Sequence, residues 1–339
     1  MESVKNTSLK PFNTFGIDAK AQELIRIKSI QDIENLSLNG VLTSGNHLVL
    51  GGGSNILLTS DFEGSVIINE IDGIEVVSET EDEVIVEVGG GVSWHQFVLH
   101  CIDRDWGGAE NLSLIPGSCG AAPMQNIGAY GVELTQIFVS LTAIDKQTAA
   151  LKEFDNAACQ FGYRTSIFKT THRDLYIIAS VKFRLTKKNH KLNLDYGAIR
   201  NQLELNQVSN PTIKDVSNAV IQIRQNKLPD PKHIGNSGSF FKNPILEQSE
   251  IETLKKSYAD VPVYAVDENH SKVAAGWLIE KAGWKGKTFG NYGVHKNQAL
   301  VLVNYGGASG KEIFQLSEDI IKDIHAKFGV ELEREVNVV

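Results

Sequence analysis

In Glu83-Val84-Ile85-Val86-Glu87-Val88 a period of two puts Val84, Val86 and Val88 on one face, so the segment predicts a strand. Apolar runs at Leu24 to Ile27, Leu48-Val49-Leu50 and Val66-Ile67-Ile68 predict buried strands, and Ala299-Leu300-Val301-Leu302-Val303 predicts one covered on both faces. Further strands are expected near Val139 to Ile144 and Ile177 to Leu185. Elsewhere the spacing is helical. Trp94, Phe97, Val98, Cys101 and Ile102 form one stripe, with Ser93 as its cap. Ile213, Val216, Val220 and Ile223 form a second, opened by Asn210-Pro211 and ended before Pro229. Ser249 with Glu252 reads as a capping box. So does Ser309 with Glu312, which opens a helix carrying Ile313, Leu316, Ile320, Ile324 and Phe328 and stopped by Gly329.

The run Leu228-Pro229-Asp230-Pro231 is a natural boundary, and residues 229–329 read as a small α+β domain of their own. The tail, residues 330–339, is strand-like and is expected to return to the first half of the chain.

Composition narrows the class. With 339 residues, 42% hydrophobic and 22% charged, the chain has ordinary globular composition and room for two or three domains. A net charge of −8, with no block of Lys or Arg longer than a pair, excludes a nucleic-acid or acidic-membrane footprint. No apolar run approaches the ~20 residues that span a bilayer. Cys101, Cys119 and Cys159 are odd in number and form no C-x-x-C pair, and no apolar leader precedes the chain; the expectation is a reducing cytoplasm.

The first candidate chemistry follows the strand at Leu48. Gly51-Gly52-Gly53-Ser54-Asn55 fits either a backbone nest for a diphosphate or a glycine-rich hairpin turn. A second triplet, Gly89-Gly90-Gly91, reads as a tight strand exit, with a flavin contact as the alternative. The long stretch from Ile115-Pro116-Gly117 to Tyr130-Gly131 has little helical or strand character, and its small residues let the backbone approach something flat and large. Arg164, after Phe161-Gly162-Tyr163, taken alone reads as a solvated or salt-bridged surface residue. Several familiar motifs are absent. There is no G-x-G-x-x-G, and Gly310-Lys311 lacks the glycine and hydroxyl of a P-loop, with Tyr305 and Glu312 in their places. Ser239 lies outside any G-x-S-x-G, and the nine histidines show no ligand spacing, so no metal is expected.

Seven segments in order resemble the UDP-N-acetylenolpyruvoylglucosamine reductase family, over almost the whole chain. They are Gly51 to Asn55, Ile115 to Gly131, Phe161 to Arg164, Lys227-Leu228-Pro229-Asp230-Pro231, Gly238-Ser239-Phe240-Phe241-Lys242-Asn243-Pro244, Ala274-Ala275-Gly276-Trp277-Leu278-Ile279, and Leu332-Glu333-Arg334-Glu335-Val336. Asp195-Tyr196-Gly197 is similar to the family's longer type, in which a mobile tyrosine-bearing loop closes over substrate.

The resemblance implies an α+β fold with a two-part FAD-binding domain of the vanillyl-alcohol-oxidase type and a C-terminal α+β substrate-binding domain. The implied division is residues 1–68 (joined by 330–339), 69–228 and 229–329. It implies FAD as cofactor and NADPH-driven reduction of an enolpyruvyl nucleotide sugar in peptidoglycan precursor synthesis, by a cytoplasmic monomer whose partners are small molecules, with neither nucleic acid nor membrane. By the same resemblance Arg164, Ser239 and Glu335 are catalytic. Gly51, Gly52, Gly53, Ser54, Asn55, Pro116, Gly117, Ser118, Gly120, Ala121, Ala122, Ile127 and Gly128 contact FAD. Tyr130, Tyr196, Arg224, Lys227 and Asn243 bind substrate, and Lys242 faces solvent. Ala121 and Ala122 stand where many relatives carry hydroxyls, and Asn337 replaces a basic residue common after the terminal Glu-Val. The competing readings are a flavin oxidase or dehydrogenase of the same fold acting on another small substrate, and a nucleotide-sugar-binding regulator with a degenerate flavin site.

Overall fold

The computed structural model describes all residues, 1–339, and the chain divides into two compact units. One comprises residues 1–7, 21–53 and 62–226; the other comprises 8–20, 54–61 and 227–339.

In the first unit, strand Lys20–Ile27 runs into helix Ile30–Leu38, whose N-cap Ser29 accepts a hydrogen bond from Asp32 N–H. The chain then returns as strand His47–Leu50, and both strands pair in parallel with Phe62–Asn69 between them. Glu2–Ser8 completes this four-stranded sheet at one edge. Ile25, Ile27, Ile33, Leu36 and Ile67 fill the space between sheet and helix together with Ile144, Ile177 and Ala179.

A five-stranded antiparallel sheet follows, in the order Leu151–Asp155, Phe138–Asp145, Tyr176–Thr186, Glu83–Gly89, Ile74–Glu79. Val84, Val86 and Val88 are buried as the alternation requires. Helix Trp94–Ile102 buries its apolar stripe against them, and Phe97 stacks on Phe183 with ring centroids 4.8 Å apart. Its expected cap is corrected: the Ser93 side chain makes no capping bond, and its backbone bridges Ser118 instead. Helices Gly197–Leu205 and Ile213–Lys227 share a core of Ile199, Leu203, Val216, Val220 and Ile223. The second of these is opened not by Asn210 but by Thr212, which donates to the Asp215 carboxylate while Asp215 N–H donates back to its hydroxyl.

The second unit contains two three-stranded sheets and three helices of seven residues or more, Gln248–Ser257, Ala275–Lys281 and Gly310–Phe328. The Ser309–Glu312 box and left-handed Gly329 bound the last as expected. A Cβ at Gly310 would lie 1.7 Å from the Leu58 carbonyl oxygen, so the helix start packs on residues 58–59 at a distance only glycine allows. The box expected at Ser249 forms two residues earlier, from Glu247 and Glu250, because strand Ile245–Glu247 runs straight into the helix. The expected strand at Ala299 to Val303 is shorter and later, Leu302–Asn304, since Val301 N–H closes a turn onto the Gln298 carbonyl. Asn337–Val338 pairs in parallel with Ile56–Leu57.

Candidate active site

In the first unit the Gly51 turn lies against the small-residue stretch. A Cβ on Gly52 would sit 2.9 Å from Gly117 Cα, and one on Gly51 would sit 2.2 Å from the Ser118 hydroxyl oxygen. The stretch is pinned to the second glycine triplet, with Gly120 N–H bonded to the Gly90 carbonyl, and Trp94 N–H bonded to the Gly117 carbonyl. Gly90 thus meets the small-residue stretch main chain to main chain at Gly120, while Gly89 and Gly91 pack closely on residues 70–72. Farther along, Ala122 is buried and accepts from Ile127 N–H, and Gly128 pairs with Glu133 in a short hairpin.

A cavity beside the turn is lined by Gly51, Asn69, Ser118, Gly120, Ala121, Met124, Lys146 and Tyr176. The Ser118 hydroxyl is buried with no hydrogen-bond partner, a costly state that a ligand acceptor would relieve. Lys146 is 5% exposed, and burial holds its ammonium below the usual lysine range. Close-approach glycine backbone, an unpartnered hydroxyl and a buried cation fit a phosphate-bearing cofactor. Lys146 carried no signal in sequence, because it reads there as a surface lysine after a strand.

Tyr130, Tyr196, Arg164 and Arg224 gather in the same unit. Arg164 donates from Nη2 to the Gly128 carbonyl at 2.7 Å. Tyr196 precedes helix Gly197–Leu205, half exposed, with its ring edge-to-face on Tyr130 at 5.3 Å. Tyr130 and Arg224 lie close enough to interact electrostatically. Burial pushes the Tyr130 phenol up and is opposed by the Arg224 charge, while burial lowers Arg224 itself. Asn111 joins this group to the loop by donating to the carbonyls of both Tyr130 and Asn193.

Leu114, Asn126, Tyr130 and Arg164 all adopt left-handed backbone, with φ of 58°, 46°, 51° and 54°. Such strain clusters where surrounding structure enforces it. Asn126 is an example that sequence reasoning missed as a site residue. Buried, it donates to the Glu133 carboxylate and the Gly162 carbonyl and accepts from Thr135 N–H, tying the small-residue stretch to the turn that carries Arg164.

In the second unit, the segment carrying Ser239 runs antiparallel to the chain end. Glu335 N–H donates to the Phe240 carbonyl at 2.8 Å, Phe241 bridges Arg334, and Lys242 N–H donates to the Glu333 carbonyl. Ser239 and Glu335 are thereby held on adjacent, antiparallel segments, both partly exposed. Asn55 anchors the chain end through its side-chain amide, which donates to the Glu335 carbonyl. Asn337 returns the contact, its backbone and side-chain N–H groups both donating to the Asn55 carbonyl. The residue standing in for a basic side chain thus fixes the main chain after Ser54.

The Asn243 side-chain oxygen Oδ1 accepts from Ala275 N–H and so caps helix Ala275–Lys281. Lys227 is exposed at the end of its helix. Lys242, expected in solvent, is mostly covered and paired with Glu333. The three cysteines are unpaired and buried; burial pushes Cys159 up to about 12 and Cys101 and Cys119 up as well, which makes poor nucleophiles of them.

Residues 24–152 match a family model described as FAD binding domain, and residues 230–339 match one described as UDP-N-acetylenolpyruvoylglucosamine reductase, C-terminal domain. The chain is 52% identical over 339 residues to the UDP-N-acetylenolpyruvoylglucosamine reductase of Flavobacterium johnsoniae, covering 100% of both chains. It is 48% identical over 338 residues to that of Pseudomonas aeruginosa, covering 100% of this chain and 99% of the relative. The crystal structure of UDP-N-acetylenolpyruvylglucosamine reductase from Thermus caldophilus shares the fold at a TM-score of 0.67 and 20% identity, over 99% of this chain and 98% of that one. The fold class is α+β, with an FAD-binding domain followed by this family's C-terminal domain. Full-length identity at this level, with both domain models matched in order, places the chain in the UDP-N-acetylenolpyruvoylglucosamine reductase family.

Proposed function

We propose that the chain catalyses FAD-dependent, NADPH-driven reduction of the enolpyruvyl ether of UDP-N-acetylglucosamine to UDP-N-acetylmuramate, a step in peptidoglycan precursor synthesis. The observation that carries this reading is the 52% identity over the full length of both chains to a reductase named for the enolpyruvyl sugar. When bound, FAD supplies hydride chemistry, accepting hydride from NADPH and delivering it to the substrate.

The remaining work belongs to side chains. Hydride addition to the terminal carbon of an enol ether conjugated to a carboxylate leaves charge on the adjacent carbon and the carboxylate oxygens. Arg164 offers those oxygens a fixed cationic fork, its own orientation held by the Gly128 carbonyl. Glu335, acting as a protonated carboxyl, donates a hydrogen bond to the same oxygens. Ser239 gives its hydroxyl proton to the carbanion carbon, with Lys227 as the group assisting it. Tyr130, Tyr196 and Arg224 bind the nucleotide diphosphate, Tyr196 from a loop that closes over it, with Lys227 and Asn243 as further polar partners. Gly51 to Asn55, Pro116 to Ala122, Ile127 and Gly128 hold the FAD.

The two-part flavin domain is of the vanillyl-alcohol-oxidase type, spanning residues 1–68 with 330–339 and then 69–228, and residues 229–329 form the substrate-binding domain. The enzyme works as a cytoplasmic monomer; no helix in it is long and apolar enough to cross a membrane. The test is anaerobic. A yellow preparation should bleach with NADPH and recover its flavin absorbance when the enolpyruvyl nucleotide is added. Recovery only on admitting oxygen would make the protein an oxidase, and a colourless preparation that binds no flavin would leave a binding module.

A further inference from the structure

The backbone of Leu114 is gripped from two sides. Its N–H donates to His95 Nδ1 at 3.0 Å, and its carbonyl accepts from Arg224 Nε at 3.2 Å. His95 lies in the first turn of helix Trp94–Ile102 and Arg224 in the last turn of helix Ile213–Lys227, so this one residue, through its two flanking peptide groups, links the two helices. Leu114 is a γ-branched residue with φ of +58°, a conformation that costs energy and persists only when neighbours enforce it. Released to φ < 0, the residue would rotate its peptide groups and withdraw the carbonyl from Arg224. The guanidinium that this carbonyl orients is the one that interacts with Tyr130.

We propose that His95 is a positioning residue for Arg224: its neutral ring accepts the Leu114 N–H, locks Leu114 in the left-handed conformation, and so aims the carbonyl that holds the Arg224 guanidinium beside Tyr130. This rests on the reading above, in which Arg224 binds the substrate diphosphate.

The chemistry of the contact sets its pH dependence. A backbone N–H donates only to an unprotonated Nδ1, so the grip exists while the ring is neutral. Burial lowers the His95 pKa, and the charge of Arg224 lowers it further. Around that cation stand Tyr130, whose phenol interacts with it, and Arg164, whose like charge opposes it. With the folded-state pKa below the ordinary value near 6.5, the grip is complete above that pH and is lost as pH falls through the lowered value. Protonation then replaces an acceptor by a donor facing a donor.

The experiment compares His95→Leu, which removes the acceptor, with His95→Asn, whose side-chain oxygen can occupy the place of Nδ1 and does not titrate. In His95→Leu, KM for the enolpyruvyl nucleotide should rise about tenfold or more, the scale of disturbing a hydrogen bond to a charged group. Reduction of FAD by NADPH should keep its wild-type rate. The wild-type KM should rise on the acid side, and His95→Asn should restore KM and abolish that rise. In the Arg224→Ala background, His95→Leu should add nothing, because its effect passes through Arg224. An unchanged KM in His95→Leu, an Asn variant that retains the acid limb, or full additivity with Arg224→Ala would overturn the proposal. Turnover by the unmodified enzyme is measured first. Failure there would sink the functional reading, whereas the variants decide the role of His95.

Discussion

Glu335 carries the sharpest claim about a single residue. It is proposed to act as a neutral hydrogen-bond donor, on a segment fixed by the Phe240 carbonyl and the Asn55 amide. A glutamine keeps an N–H in place of the acidic O–H at nearly the same reach, while an aspartate keeps the acid and shortens the arm. Glu335→Gln should therefore retain more kcat than Glu335→Asp in steady-state assays. The reverse order would mean that the group works as an anion or a base. At this scale the sequence made some residues visible and hid others for identifiable reasons. Arg164, Ser239 and Glu335 stood in recognisable strings, and the structure gives each a main-chain setting. Asn126, Leu114 and His95 were hidden because their importance lies in a buried hydrogen-bond hub, a left-handed backbone and a ring acceptor. No spacing announces any of these.

Among the elements, those whose signal is entirely local were legible. The Ser309–Glu312 box, the stripe from Ile313 to Phe328 and the stop at Gly329 reappear in helix Gly310–Phe328, because every part of that signal lies within the helix. Boundaries decided by neighbouring elements shifted. Thr212 displaced Asn210 as the cap, and Glu247 displaced Ser249, since competing side chains lay two residues away in each case. The glycine turn after Leu50 is the element on which flavin binding is proposed to depend. Gly52 approaches Gly117 backbone to backbone, so a valine there would force the two segments apart. Gly52→Val should purify largely as apoprotein while retaining a folded far-UV circular dichroism spectrum, with occupancy read from the ratio of flavin to protein absorbance. Full occupancy would remove the turn from the cofactor site.

For the whole molecule, composition and charge bounded the class, and the order of seven short segments carried the family, which full-length identity then established. The division of the chain was harder to read. The structure groups residues 8–20 and 54–61 with the C-terminal part, through long-range contacts such as Asn337–Val338 pairing with Ile56–Leu57 and Asn304 bonding the Phe15 carbonyl. Pairings between residues some 280 positions apart leave no periodicity in either partner.

The central claim is that one protein runs two half-reactions and that only the second needs a positioned proton donor. Flavin reduction by NADPH precedes any proton transfer to the substrate carbon, so it should proceed at close to the wild-type rate in Ser239→Ala. Reoxidation by the enolpyruvyl nucleotide requires that proton, and loss of a general acid typically costs ~10² to 10⁴-fold. The direct measurement is anaerobic stopped-flow absorbance of the flavin in wild type and Ser239→Ala, first with NADPH and then with the nucleotide. The account predicts normal bleaching followed by reduced flavin that persists in the variant. Reoxidation of Ser239→Ala at the wild-type rate would contradict it.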